Sequence, residues 1–157
     1  VSPQKINSFV LGGHGDSMVA MLNSTTVNGK NIFDLVKEGK IKKDTLSNIV
    51  NRTKNGGAEI VKYLEKGSAF YAPAASGVEM AESYIKNLKK QLPCAAYLNG
   101  EYGVKDLYAG VPVIIGSDGV EKVIELNLTE QERIDFNKSI QTVQELFNAA
   151  KKIDPKL

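Results

Sequence analysis

Apolar and polar positions near the start of the chain follow a strand-like pattern. Short apolar runs at residues 6–11 and 18–22 lie on either side of a glycine-rich stretch and predict two strands around a tight connection. Residues 31–38 predict a short helix that ends at Gly39. The glycine-rich stretch is therefore expected to form a loop between two strand ends.

The middle of the chain has apolar residues at helical spacing. Gly56 and Gly57 interrupt the first helical pattern, which begins at Thr45. Each glycine inside a helix costs about 1 kcal/mol relative to alanine, so close packing or a bend is expected there. The small residues 67–75 separate this pattern from the next, and Pro73 fits the first turn of the second helix. The two predicted apolar faces comprise Leu46, Ile49, Val50, Ile60, Val61 and Leu64, and then Val78, Met80, Ala81, Tyr84, Ile85 and Leu88.

The last part of the chain predicts strands and a final helix. Residues 94–98 and 110–116 have strand-like texture, and residues 111–126 predict a hairpin that turns at Asp118 and Gly119. The order of strands, helices, strands and helix predicts an α+β fold with segregated elements.

Thr129 and Glu132 have the spacing of a capping box at the start of the final helix. The stripe along this helix spans few heptads, which favours a core face over a seam for a partner helix. The stripe consists of Phe136, Ile140, Val143, Phe147 and Ala150.

Length and composition narrow the class of protein. A chain of 157 residues fits one domain with a sizeable core. The net charge of +2 is spread over lysine-rich segments with interleaved acids, which argues against a nucleic-acid partner, and the lack of a long apolar run argues against a membrane partner. Cys94 is the only cysteine and lies in an apolar stretch, so we expect a buried thiol in a cytoplasmic protein.

His14, the only histidine, lies among the glycines of GGHGDSM and is the candidate for chemistry. An imidazole exchanges protons near neutral pH, and glycines leave room beside it for a ligand. Residue type alone favours a histidine in a surface turn over a catalytic one, and no second histidine or cysteine supports a metal site. Asp16 could orient the ring or cap the backbone. The usual glycine-rich nucleotide motifs do not occur in this sequence.

Four ordered blocks change this balance. They read GGHGDSMV at residues 12–19, GGAEIV at 56–61, GSAFYAPAAS at 67–76 and LPCAAYLNGEYGVKDLYAGVPVIIG at 92–116. Together they resemble the C-terminal catalytic domain of the lactate/malate dehydrogenase family, in its lactate-dehydrogenase-like branch, over about residues 6–147. The resemblance implies an α+β domain of antiparallel strands packed against long helices.

The resemblance implies a reaction and a role for His14. It implies reversible, NAD-dependent oxidation of (S)-malate to oxaloacetate, a reaction of the tricarboxylic acid cycle, with His14 as the general acid/base. The family's orienting aspartate, its substrate-binding arginines and its NAD-binding Rossmann domain would precede residue 1, and neither Arg52 nor Arg133 matches those arginines. Residues 1–157 are therefore expected to form the catalytic and substrate domain only, without activity in isolation.

The resemblance further assigns Ala69 to the substrate pocket and Pro73 to the approach of the nicotinamide. It also implies a homo-oligomer, either a dimer or a tetramer. Two alternatives stay open at this point: an L-lactate dehydrogenase domain, because the loop that selects the substrate would lie upstream, and a non-catalytic assembly module, because no nucleotide motif is present.

Overall fold

A computed structural model describes residues 1–156. In this range the chain forms short β-hairpins, a larger antiparallel sheet and helices packed around them. The strands are β1 Ile6–Asn7, β2 Val10–Leu11, β3 Val19–Ala20, β4 Thr26–Val27, β5 Lys30–Asn31, β6 Lys90–Asn99, β7 Lys105–Gly116 and β8 Gly119–Val123. The helices are α1 Ile32–Lys37, α2 Lys43–Lys54, α3 Gly56–Leu64, α4 Tyr71–Ile85 and α5 Glu130–Ile153.

The larger sheet has the order β6-β7-β8 and is antiparallel throughout. Cys94, Ala96 and Leu98 of β6 are buried, whereas the residues between them are exposed, as expected for a sheet with one face on the core. Phe136 of α5 packs into the same core and is fully buried. The predicted α+β architecture is thus confirmed, as is the burial of Cys94.

The N-terminal strands are shorter than predicted. The run at residues 6–11 divides into β1, which pairs with β4, and β2, which pairs with β3. Ser8 and Phe9 separate them: Ser8 Oγ hydrogen-bonds Thr25 Oγ1 at 3.1 Å, and the Phe9 carbonyl accepts from the Met21 N–H at 2.9 Å. These contacts direct the chain from one small sheet to the next.

The predicted interruption at the paired glycines is a helix break. α2 ends at Lys54 and α3 begins at Gly56, with Asn55 between them. A Cβ on Gly56 or Gly57 would meet nothing within 4 Å. Of the two expectations, the bend is confirmed, and close packing at the glycines is not found in residues 1–156.

Helices α3 and α4 bury less apolar surface than their patterns predict. Val78 and Ile85 of α4 are 69% and 78% exposed, and Ser83 is the residue of α4 that is fully buried. In the earlier pattern Leu46 is buried, whereas Ile60 is 43% exposed. The apolar faces of α3 and α4 therefore do not contribute to the core formed by residues 1–156. Pro73 lies in the first turn of α4, as predicted.

The hairpin predicted over residues 111–126 turns one residue earlier than predicted. Gly116 pairs with Gly119, so the connecting residues are Ser117 and Asp118. Gly119 has φ +84°, which favours glycine at this position. The final strand ends at Val123, before the predicted limit of residue 126.

Helix α5 begins with the predicted capping box. The Thr129 side chain accepts from the Glu132 N–H at 3.2 Å, and the Glu132 carboxylate accepts from the Thr129 N–H at 2.9 Å. Phe136 of the predicted stripe is buried, and the later stripe positions are half-buried. No helix within residues 1–156 has the length and apolar character needed to cross a membrane.

Candidate active site

His14 lies in the turn that joins β2 to β3. Its backbone is extended, with φ −99° and ψ 151°, and its side chain is exposed. Directly after it, Gly15–Ser17 form a 3-10 turn that packs against α2 and α5. The imidazole therefore projects from an ordered turn to which a small molecule has access.

Two of the flanking glycines adopt left-handed backbone conformations. Gly12 has φ +87° and Gly15 has φ +72°. A residue with a Cβ is strained at such angles, whereas glycine is not. The path of the backbone before and after His14 thus accounts for both glycines.

A backbone bridge joins the turn to the larger sheet. The Gly12 N–H donates to the Gly110 carbonyl at 2.8 Å, and the Gly110 N–H donates to the Gly12 carbonyl at 2.8 Å. Gly110 belongs to β7, the middle strand of its sheet. The start of the turn is consequently fixed to the core sheet.

Helix α5 holds the same turn from a second direction. The Gly13 N–H donates to Ser139 Oγ at 2.8 Å. Ser139 is only 3% exposed, and it places a buried hydroxyl next to the backbone that precedes His14. Within the turn, Ser17 Oγ donates to the His14 carbonyl at 3.3 Å.

A polar cleft of about 520 Å³ opens next to the turn, between the end of α2 and the side of α5. Asp16 lines this cleft together with both acidic and basic side chains of the two helices. His14 is not part of the lining. The charged residues of the cleft are Asp16, Lys54, Asp135, Lys138 and Glu145.

The other predicted site residues lie away from the contacts that hold His14. Ala69 is half-buried in the segment between α3 and α4, and Pro73 is exposed at the start of α4. The 3-10 turn after His14 packs against α2 and α5, and neither helix contains Ala69 or Pro73. The roles assigned to these two residues therefore stay predictions.

Arg52 is engaged by an acidic side chain of the next helix. Its Nε and Nη2 donate to the two carboxylate oxygens of Glu59 at 2.9 and 2.7 Å, across the break between α2 and α3. These hydrogen bonds lower the pKa of the Glu59 carboxyl from its ordinary value. Arg52 is thus part of an exposed ion pair.

Ser139 and Gly110 were not identified by the sequence analysis as site residues. One feature of the sequence could have indicated that Ser139 is buried: it is a polar residue next to Phe136 and Ile140 on the apolar stripe of α5. Gly110 left only the weak signal of a glycine within a strand. Neither signal could indicate that the two residues meet at the His14 turn.

A comparison with known protein families shows to which family this domain belongs. The model of the lactate/malate dehydrogenase α/β C-terminal domain matches residues 1–153. The chain belongs to the lactate/malate dehydrogenase family. The family resemblance of the four sequence blocks is thereby confirmed, together with the domain type to which they were assigned.

Known members of the lactate/malate dehydrogenase family match this domain over all or nearly all of its length. A curated malate dehydrogenase of Pelagibacter ubique is 61% identical over 157 residues, which are 100% of this chain and 49% of that protein. The solved malate dehydrogenase of Cryptosporidium parvum is 44% identical with a TM-score of 0.93, covering 97% of this chain and 48% of that one.

A solved lactate dehydrogenase is equally similar in fold. The enzyme of Eimeria maxima, crystallised with NADH and oxamate, is 42% identical with a TM-score of 0.94, covering 99% of this chain and 48% of that one. The chain thus spans about half the length of the relatives it matches.

Proposed function

We propose that this chain is the catalytic and substrate domain of an NAD-dependent malate dehydrogenase, which interconverts (S)-malate and oxaloacetate. The observation that carries the proposal is the exposed His14 on a turn fixed by both β7 and α5. The 61% identity to a malate dehydrogenase over the whole chain supports the choice of substrate.

His14 is the general acid/base of this reaction. Its neutral imidazole accepts the hydroxyl proton when malate is oxidised, and the imidazolium returns the proton to the ketone oxygen of oxaloacetate. Such a group must come within hydrogen-bond reach of the proton it transfers. The exposed position of the ring leaves space for the substrate, and the hydrogen bond of Gly13 to Ser139 fixes the backbone from which the ring extends.

NAD, when bound, supplies the hydride acceptor and donor at C2 of the substrate. This chain offers an exposed, uncharged surface for a flat ring at Pro73, where Phe70 is also 52% exposed. Pro73 would hold the nicotinamide end, and the half-buried Ala69 would line the substrate pocket with a small side chain.

The remaining cofactor contacts belong to a separate Rossmann domain in the rest of the protein, and residues 1–157 form one domain. Two observations support this division: relatives are about twice as long as the chain, and the apolar faces of α3 and α4 are exposed. We also propose that the whole enzyme is a cytoplasmic homo-oligomer, dimeric or tetrameric, and that this domain alone is inactive.

A lactate dehydrogenase is the second candidate. The TM-score to the lactate dehydrogenase of Eimeria maxima is 0.94, and the TM-score to the malate dehydrogenase of Cryptosporidium parvum is 0.93. Similarity of fold therefore supports both candidates equally. The two differ in whether the substrate has a second carboxylate, so oxaloacetate and pyruvate distinguish them.

The direct test joins this chain to the N-terminal half of the Pelagibacter ubique malate dehydrogenase. The chimera is expected to oxidise NADH with oxaloacetate. The preference between oxaloacetate and pyruvate is measured on this chain joined to its own N-terminal half, because the loop that selects the substrate would lie there. His14→Asn should lower kcat/KM by about 10²–10⁴, the range for loss of general acid/base catalysis. An active chimera in which His14→Asn keeps the full rate would refute the assignment of His14. A preference for pyruvate when the chain is joined to its own N-terminal half would instead select lactate dehydrogenase, and an inactive but folded chimera would favour the assembly module.

A further inference from the structure

Ser139 occupies an unusual position for a serine. It lies in the middle of α5 on the side that faces the core, and it is 3% exposed. Phe136, one turn earlier, is the other buried residue of this helix. A buried hydroxyl stabilises a protein only when it has a hydrogen-bond partner, so the partner of Ser139 indicates what the hydroxyl does.

That partner is the residue immediately before His14. Ser139 Oγ accepts the Gly13 N–H at 2.8 Å, although the two residues are 126 positions apart in the chain. A Cβ on Gly12 would lie 2.1 Å from the same oxygen. The hydroxyl therefore contacts the turn too closely for any side chain at Gly12, and it satisfies a donor that would otherwise be left without a partner.

The Ser139 hydroxyl is one of two groups that hold the His14 turn from opposite sides. The bridge to Gly110 holds the Gly12 carbonyl on the sheet side, and Ser139 holds the N–H of the same peptide, at Gly13, on the helix side. His14 follows directly, and its own carbonyl accepts from Ser17 Oγ. Removal of the Ser139 contact would leave the Gly12–Gly13 peptide held from the sheet side only.

We infer that Ser139 is a positioning residue for His14, acting through the Gly13 N–H. The inference rests on the proposed role of His14 as acid/base. Proton transfer requires donor and acceptor within hydrogen-bond reach, and a displacement of about 1 Å can lower a rate about 10²-fold. Ser139 does not contact substrate in this scheme: it sets where the imidazole lies.

The first test needs no catalysis and uses the 157-residue chain. Ser139→Ala should accelerate hydrogen exchange of the Gly13 amide about tenfold, as expected when a buried donor loses its acceptor. It should also shift the NMR signal of the imidazole, which is unambiguous because His14 is the only histidine. Ser139→Thr, which keeps the hydroxyl, should retain the slow exchange.

Thr142→Ala is the matched control. It removes an exposed hydroxyl one turn further along α5, where Thr142 Oγ1 donates to the Lys138 carbonyl of the same helix. Both signals should stay unchanged in this variant. If Ser139→Ala does not fold, Ser139→Cys is measured in its place, because a thiol has a similar volume but is a weaker hydrogen-bond acceptor. Unchanged Gly13 exchange in the folded variant would overturn the inference.

The second test uses the active chimera described above. Ser139→Ala should lower kcat about tenfold with KM nearly unchanged, and Ser139→Thr should restore most of the loss. In a His14→Asn background, Ser139→Ala should cause no further loss, because its effect passes through His14.

The two hypotheses fail in different ways. Full activity of His14→Asn would refute the proposed function while the Gly13 exchange result stood. Loss of activity in His14→Asn combined with full kcat in Ser139→Ala would refute only the positioning role. An equal loss of kcat in Ser139→Thr would mean that packing, and not the hydroxyl, matters, and would also overturn the inference.

Discussion

Gly110 lies so close to Gly12 that a side chain on Gly110 would have no room between them. A Cβ on Gly110 would be 2.8 Å from the Gly12 carbonyl oxygen, a backbone atom that cannot rotate away. The reciprocal 2.8 Å hydrogen bonds between the two residues depend on this close approach. The strand that supports the core and the turn that carries His14 are thus one connected unit.

Gly110→Ala is therefore expected to destabilise the domain. Overpacking of a rigid contact costs about 1–3 kcal/mol, and part of that strain would move the His14 turn. Urea unfolding of the purified chain measures the first effect, and the kcat of the chimera measures the second.

Gly57→Ala is the control for Gly110→Ala. A Cβ there meets nothing within 4 Å, and the position lies in the first turn of α3, so this variant should be neutral or more stable by up to about 1 kcal/mol. Equal stability of Gly110→Ala and the unmodified chain would contradict the proposed clash.

Ser83→Ala should weaken the attachment of α4 to the larger sheet. Ser83 is fully buried, its Oγ donates to the Ile115 carbonyl at 2.7 Å, and it accepts the Lys90 N–H at 3.2 Å. Buried groups left without partners cost about 1–3 kcal/mol, which urea unfolding can resolve. The exposed Ser47→Ala, whose hydroxyl bonds only within α2, should have little effect. A loss as large in Ser47→Ala would show that removing any helical serine hydroxyl has this cost, and that the buried contacts of Ser83 are not its cause.

Ala69→Leu should affect the substrate more than the fold. Ala69 is half-buried and is proposed to line the substrate pocket, so a larger side chain would compete with the dicarboxylate. In the chimera, KM for oxaloacetate should rise by about tenfold, the effect of some 1.4 kcal/mol of lost binding. Ala149→Leu, at an exposed position of α5, should leave KM unchanged. An unchanged KM in folded Ala69→Leu would remove Ala69 from the pocket.

Local signals predicted the parts of the fold that local chemistry determines. Thr129 and Glu132 predicted the start of α5 because a capping box needs only neighbouring residues. The strand-like texture of residues 94–98 and 110–116 predicted parts of β6 and β7 for the same reason. His14 was identified because a lone histidine among glycines stands out and belongs to a motif of the family.

Contacts between distant residues could not be predicted in this way. The bond between Ser139 and Gly13 joins the two ends of the chain, and a single sequence has no signal for such a pair. The apolar face of α4 was predicted from the sequence, yet it is exposed within residues 1–156. Helical periodicity indicates which face avoids water, but it does not say whether residues 1–156 or another surface covers it.

The ion pair between Arg52 and Glu59 gives a prediction for pH. Hydrogen bonds from Arg52 lower the pKa of Glu59 below its ordinary value of 4.5 in the folded chain. A carboxyl with a lowered folded pKa stabilises the fold above its unfolded pKa and loses this contribution as the pH falls through the folded value. The stability difference between the unmodified chain and Glu59→Gln should therefore be present at pH 7 and shrink progressively below about pH 4.5.

Urea unfolding at several pH values and two salt concentrations measures this difference. Both side chains are largely on the surface, so the difference should also decrease at high salt. In an Arg52→Gln background, Glu59→Gln should show neither dependence, because the partner that lowers the pKa is gone. A pH dependence that persists in that background would mean that another group, and not Arg52, stabilises the Glu59 carboxylate across the break between α2 and α3.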